Sequence, residues 1–149
     1  MTDLSGALRG TMHVYPIRVY FEDTDAAGIV YYANYLRFAE RARTEMMRLG
    51  GVDHAGLVRD EGLAFAVRRC AADYLRPARL DDLLEVHTRV VGLGGASIDL
   101  RQTVYRPSDG RDVVALEVRL ACIDRHAKPA RIPAALRTKI NHFLTDLTG

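Results

Sequence analysis

Along residues 31–49 the apolar positions Tyr35, Ala39, Ala42, Met46 and Leu49 recur at intervals of 4, 3, 4 and 3, the spacing of one stripe down an α-helix. Glu40, Arg41, Arg43, Glu45 and Arg48 fill the other faces, and Gly50-Gly51 supplies the stop expected at a helix C-terminus. Beyond Gly62 the period changes from helical to alternating, and residues 63–75, 83–92, 96–106 and 112–124 read as strands. In the third of these Ile98, Leu100 and Val104 alternate with Asp99, Arg101 and Thr103; in the fourth Val114, Leu116, Val118, Leu120 and Cys122 share one side. Ahead of the helix, residues 13–22 carry Val14, Ile17, Val19, Tyr20 and Phe21 and predict a first strand, with Pro16 pointing to a sheet edge.

The connections between the later strands are short and turn-like: Pro77 with Asp81-Asp82, Gly92 with Gly94-Gly95, and Pro107 with Asp109-Gly110. Such turns favour an antiparallel meander, because parallel neighbours need crossover helices. After Pro133, the residues Leu136, Ile140, Phe143, Leu144 and Leu147 predict a second helix or a packed tail. The expected architecture is α+β: a five-stranded antiparallel sheet, one long helix covering one face, and a C-terminal helix or tail. A single domain over residues 13–149 is expected, preceded by a flexible N-terminal segment over residues 1–12. Tyr20, Phe21, Tyr31, Tyr32 and Tyr35 crowd the irregular stretch before the helix, and a second copy of the chain is the expected cover for that aromatic surface.

Composition narrows the function classes. A chain of 149 residues that is 48% hydrophobic buries roughly two-thirds of its unfolded surface as one domain. A net charge of +2 gives no argument for nucleic-acid binding, while a small anionic ligand stays compatible with it. Cys70 and Cys122 sit in strand-like stretches without CxxC spacing or grouped histidines, so buried free thiols are expected rather than a zinc site or a disulfide. No stretch has signal-peptide character or 18 consecutive apolar residues, and a cytoplasmic protein without an integral membrane segment is expected.

The candidate chemistry lies in Asp23-Thr24-Asp25-Ala26-Ala27-Gly28-Ile29-Val30. An acid just before a helix is ordinarily an N-cap or turn carboxylate. Here Asp25 is followed by small residues and Gly28, which leave room for a ligand at the helix start. The first N–H groups of that helix, around Val30, Tyr31 and Tyr32, are expected to lack intrahelical partners and to lie at the positive end of the dipole, suited to polarising a carbonyl and holding its oxyanion. Asp23 reads as a turn residue or a partner for a nearby arginine, and Glu40 as part of a solvated or ion-paired helix face. No histidine has a neighbour at catalytic or metal spacing, so no metal is expected.

Two stretches carry a family resemblance. Residues 19–35, reading Val-Tyr-Phe-Glu-Asp-Thr-Asp-Ala-Ala-Gly-Ile-Val-Tyr-Tyr-Ala-Asn-Tyr, continue through Glu40-Arg41-Ala42-Arg43-Thr44-Glu45-Met46, and Tyr74-Leu75-Arg76-Pro77-Ala78-Arg79-Leu80-Asp81-Asp82 follows further on. Together these resemble the 4-hydroxybenzoyl-CoA-thioesterase-like family, and within it the YbgC-type branch associated with the Tol-Pal system. The resemblance implies a hotdog fold, in which the sheet wraps the long helix, and hydrolysis of acyl-CoA thioesters. It implies Asp25 as nucleophile or as base toward water, with no cofactor, since coenzyme A is part of the substrate. A homodimer or homotetramer is implied, and acyl-carrier protein or Tol-Pal and phospholipid-synthesis proteins as partners. The Glu40-Arg41 pair is a family feature, implying structural support near the site.

The chain departs from that branch where Phe21 and Tyr32 replace a tyrosine and a histidine regarded there as part of the active site. The loop at Gly94-Gly95 also lacks a basic residue that often meets CoA phosphates in relatives; its backbone N–H groups, or Lys128 and Arg131, are the expected substitutes. A non-catalytic protein that binds acyl-CoA or acyl-carrier protein is the alternative.

Overall fold

A computed structural model describes residues 4–144. Its sheet has six strands in the order β1-β2-β4-β5-β6-β3, all neighbours antiparallel, with β1 Ala7–Arg9, β2 Met12–Arg18, β3 Ala64–Tyr74, β4 Leu83–Leu93, β5 Ser97–Arg106 and β6 Arg111–Ile123. The four later strands fall within a residue or two of the alternating segments. The expected count of five is short by one, because three residues, Ala7-Leu8-Arg9, pair with Val14, His13 and Met12 inside the segment expected to be flexible. A strand that short carries no readable alternation. Its pairing stops at Val14, so Pro16 lies beyond β1 on a locally unpaired side of β2, where a missing N–H costs no ladder bond.

Helix α1 spans Asn34–Leu49 and buries Tyr35, Phe38, Ala39, Ala42, Met46 and Met47 against the inward faces of the sheet. Those faces are Leu84, Val86 and Val90 of β4, Ile98, Leu100 and Val104 of β5, and Val114, Leu116, Val118, Leu120 and Cys122 of β6. Leu49, the last residue of the expected stripe, stays exposed. A short helix α2, His54–Gly56, runs on into a π-helical turn, Leu57–Glu61. Helix α3, Ala134–Asn141, buries Leu136 and Ile140, and Phe143 follows it into the core; Leu147 lies outside the described residues. Gly50 is required there, because a Cβ on it would stand 2.5 Å from the Phe143 ring.

One inward position breaks the apolar pattern. Gln102 of β5 is fully buried and donates to the Ala39 carbonyl (2.9 Å) and to Thr88 Oγ1 (3.0 Å), while its Oε1 accepts from Arg43 Nη1 (3.0 Å). Burial pulls the Arg43 guanidinium below its ordinary pKa, with Glu40 opposing that shift. Gln102→Leu would leave a buried hydroxyl and a half-buried guanidinium without their partner. We expect a loss of about 2 kcal/mol in urea unfolding at fixed protein concentration; a change under about 0.5 kcal/mol would show that the network adds nothing.

The two sheet edges differ. β1 is a stub, whereas β3 is an eleven-residue strand paired only with β6. Val67, Cys70, Ala71, Tyr74 and the following Leu75 are exposed along it, because α1 does not reach across to cover this edge. Cys70 is therefore an exposed thiol, contrary to expectation, and Cys122 a buried one.

Candidate active site

The 20–33 segment is a closed turn rather than the first turn of a helix. A 3-10 turn, Phe21–Asp23, begins it, and the Asp23 carboxylate accepts the Tyr20 N–H (2.8 Å). Asp23 is thereby a turn residue, as its position predicts. Thr24 then bridges Val30, and the Asp25 N–H donates to the Ile29 carbonyl (2.9 Å). Gly28 donates back to the Asp25 carbonyl (3.0 Å) at a φ of 79°, a conformation that glycine adopts freely.

Asp25 sits at the exposed tip of this turn. Its Oδ1 accepts the Ala27 N–H (2.8 Å), which fixes the carboxylate orientation, and its Oδ2 has no partner among the described residues. The geometry leaves one oxygen of a held carboxylate free to meet a carbonyl carbon or a water.

Two of the expected oxyanion donors are already used. The Val30 N–H donates to the Ala78 carbonyl (2.9 Å) and the Tyr31 N–H to the Asp23 carbonyl (2.9 Å). These bonds, together with Asn34 Nδ2 donating to the same Asp23 carbonyl (2.9 Å), hold the backbone out of helical register until Asn34. The helix therefore starts at Asn34, three residues into the stretch 31–49 expected to be helical. The Tyr32 and Ala33 N–H groups make no hydrogen bond among the described residues, and they precede the positive end of the α1 dipole.

Aromatic rings surround the turn. Tyr31 and Tyr32 lie 5.0 Å apart, Tyr32 meets Tyr74 edge-on at 5.9 Å, and Tyr35 contacts Tyr74 and Phe38 at 6.0 Å each. Tyr74, at the end of β3, carries no site role in the sequence pattern; its place in the Tyr74-to-Asp82 motif is the available signal. Burial raises the Tyr35 hydroxyl pKa, opposed by the Ala78 N–H that it accepts (3.1 Å), and desolvation raises that of Tyr74. Phe21 is 80% exposed and Tyr32 60%, so neither position is buried within one chain.

The expected CoA contacts gather elsewhere. Gly94 donates its N–H to the Ser97 carbonyl (2.8 Å), so half of the expected backbone nest is closed by its own hairpin. The Gly94 and Gly95 carbonyls accept from Arg137 Nη2 (2.6 and 3.3 Å), a cation that sequence reading passed over. Arg131 adjoins this loop through the Ile132 N–H bond to Gly95 (2.9 Å), and Lys128 closes the turn with Asp124 that bridges back to Ile123. All four lie at the Leu93 end of β4, whereas the Asp25 turn hangs at its Leu83 end, where Val19 and Asp82 bond. A straight strand of that length spans about 33 Å. Within one chain, then, Asp25 and the phosphate candidates do not meet.

Residues 19–140 match the model of the thioesterase-like superfamily. The acyl-CoA thioesterase YbgC of Haemophilus influenzae is 41% identical over 130 residues, which cover 87% of this chain and 94% of that protein. A probable thioesterase from Bartonella henselae shares 38% identity and superposes with a TM-score of 0.77, covering 82% of this chain and 99% of that one. A 1,4-dihydroxy-2-naphthoyl-CoA thioesterase from Synechocystis, at 20% identity, shares the fold with a TM-score of 0.81 over 93% of this chain and 98% of its own.

Proposed function

Since this chain belongs to the thioesterase-like superfamily, we propose that it hydrolyses acyl-CoA thioesters to the free acid and CoA, with Asp25 as the carboxylate that carries the reaction. The observation that carries this reading is the held carboxylate with one free oxygen, followed within one closed turn by two unpartnered N–H groups.

In one form of the step, Asp25 Oδ2 adds to the thioester carbonyl, the CoA thiolate leaves, and water hydrolyses the acyl-aspartyl anhydride. In the other, Asp25 takes a proton from water as that water adds to the carbonyl, and the thiolate leaves with the proton returned to it. Both pass through an oxyanion. The Tyr32 and Ala33 N–H groups are the donors proposed for it, each worth roughly 3 kcal/mol when well placed. Phe21 and the Tyr32 ring supply apolar surface for the acyl group, and Gly28 keeps the approach to the turn open. No metal or cofactor takes part in this reading.

We further propose that the working unit is at least a homodimer formed along β3, with a tetramer of two such dimers as the larger form. The bare eleven-residue edge and the exposed Asp25 turn beside Tyr74 support it. Antiparallel pairing of two β3 strands about a two-fold sets the Tyr74 end of one copy near the Ala64 end of the other. That end adjoins β6 at Ile123, so Lys128 of the partner subunit and Arg131 of the partner subunit come toward Asp25, on the side where CoA phosphates need cations. Acyl groups on a carrier protein are a second substrate form, and Tol-Pal or phospholipid-synthesis proteins the partner class that the branch suggests. Such substrates place the chain in the cytoplasm; no described helix is long and apolar enough to cross a membrane.

A panel of short, long and aryl acyl-CoAs, assayed for free thiol with and without chelator, tests the reading. We expect release above the buffer rate for at least one acyl class, unchanged by chelator. Saturable CoA binding with no release from any thioester would favour a binding protein instead, the outcome that Phe21 in place of a hydroxyl-bearing residue would explain.

A further inference from the structure

The 75–82 connection between β3 and β4 is bonded to both flanks of the Asp25 turn. On one flank Val19 donates its N–H to the Asp82 carbonyl (3.0 Å) and accepts the Asp81 N–H (3.0 Å). On the other, the Val30 N–H donates to the Ala78 carbonyl (2.9 Å) and Ile29 bridges Arg79. Asp25 itself is tied to Ile29 by its N–H (2.9 Å). Where residues 78–82 sit therefore decides where the carboxylate sits.

That connection closes on itself between Arg79 and Asp82 and is braced from outside as well. Asp81 holds a φ of 71°, a left-handed conformation uncommon outside glycine, asparagine and aspartate. Val19 and Arg18 Nη1 (3.2 Å to the Asp81 carbonyl) hold Asp81 itself, and Arg106, the last residue of β5, braces the residues on either side of it. The Arg106 Nη1 donates to the Pro77 carbonyl (3.0 Å) and to Asp82 Oδ2 (3.1 Å), and its Nε and Nη2 donate to Asp109 Oδ2 (3.1 and 2.8 Å). The same Asp82 oxygen accepts the Arg79 N–H (2.9 Å), next to the bridge with Ile29. The Arg106 side chain is only 15% exposed, so this is a partly desolvated clamp rather than a surface ion pair.

We propose that Arg106 is a positioning residue for Asp25, acting through the Pro77 carbonyl and Asp82 on the backbone from which the Asp25 turn hangs. The proposal rests on the assignment of Asp25 above. It specifies a guanidinium, because only a planar fork reaches a carbonyl and two carboxylates at once; an ammonium keeps one or two of these contacts.

The test compares Arg106→Met, Arg106→Lys and a matched control, Arg119→Met. Arg119 makes a bidentate, more exposed pair with Asp99 across β5 and β6 (2.7 and 3.2 Å) but touches nothing bonded to the turn. For Arg106→Met we expect kcat to fall roughly tenfold with KM within about twofold, the effect of a catalytic group displaced by a fraction of an ångström. Arg106→Lys should recover part of that loss, and Arg119→Met should keep wild-type kcat. In an Asp25→Asn background, Arg106→Met should cause no further loss in single-turnover hydrolysis, because the group it positions is gone. Unchanged kcat, a loss confined to KM, or a full tenfold loss persisting without Asp25 would each overturn the proposal. If Arg106→Met fails to fold, the Lys variant carries the same comparison. Asp25→Asn alone separates the two levels: an active Asp25→Asn enzyme removes the Asp25 assignment, whereas an inactive one with a fully active Arg106→Met removes only the role of Arg106.

Discussion

A chain carrying Val67→Lys and Cys70→Lys is expected to sediment as a monomer and to lose acyl-CoA turnover at least tenfold. Both residues are exposed on the β3 edge, so the changes should leave the fold intact, which a near-wild-type melting temperature would check. In a two-fold antiparallel pairing, residues near the axis face their own copies, and lysines there set like charges against each other. The loss of turnover follows from the position of Asp25. It stands at an exposed tip in the single chain, where water screens its charge, and Lys128 and Arg131 lie at the other end of the sheet. In the proposed dimer a second copy would cover the tip and bring cations from the far end of its own sheet. Sedimentation velocity at micromolar concentration, run beside the thiol assay, reads both effects. A dimer that persists, or a monomer with full turnover, would count against the shared site.

Much of this arrangement is legible in one dimension. The alternation of Ile98, Leu100 and Val104, and of Val114 through Cys122, locates β5 and β6 and their inward faces, because a two-residue period admits one assignment of sides. The stripe from Tyr35 to Met46 likewise places α1 on the core. Asp25 is singled out by the resemblance of residues 19–35 to the family, with small residues and Gly28 beside the acid leaving room for a ligand, and the structure brings Asp25, Gly28, Val30, Tyr31 and Tyr32 into one closed segment. What escaped reading depends on tertiary hydrogen bonds. The Val30 and Tyr31 N–H groups are claimed by Ala78 and Asp23, partners 48 and 8 residues away in sequence, and that displaces the helix start to Asn34. Gln102 is polar at an inward position, and no pattern announces that Arg43, Ala39 and Thr88 converge on it. Cys70 is expected to be buried on the usual behaviour of free cysteine; only strand order makes β3 an edge and exposes it. Gly94, Gly95, Lys128 and Arg131 were grouped with the site by charge and loop character, which carry no information about which end of β4 they occupy.

The most direct test of the account is turnover by Asp25→Asn, measured on whichever acyl-CoA the panel identifies. Asparagine keeps the shape of the side chain, and its Oδ1 can still accept the Ala27 N–H, so a turn-forming role would survive the change with little loss of stability. Neither nucleophilic attack nor proton abstraction survives it. General-base assistance alone is typically worth 10²- to 10⁴-fold, far outside assay error. Asp23→Asn is the control within the same turn, since among the described residues the Asp23 carboxylate bonds only the Tyr20 N–H. The account predicts a folded, assembled Asp25→Asn protein whose turnover has dropped about a hundredfold or more, beside an Asp23→Asn protein that keeps most of its activity. Asp25→Asn retaining more than about a third of wild-type turnover at an unchanged melting temperature would contradict it, as would inactivity confined to Asp23→Asn.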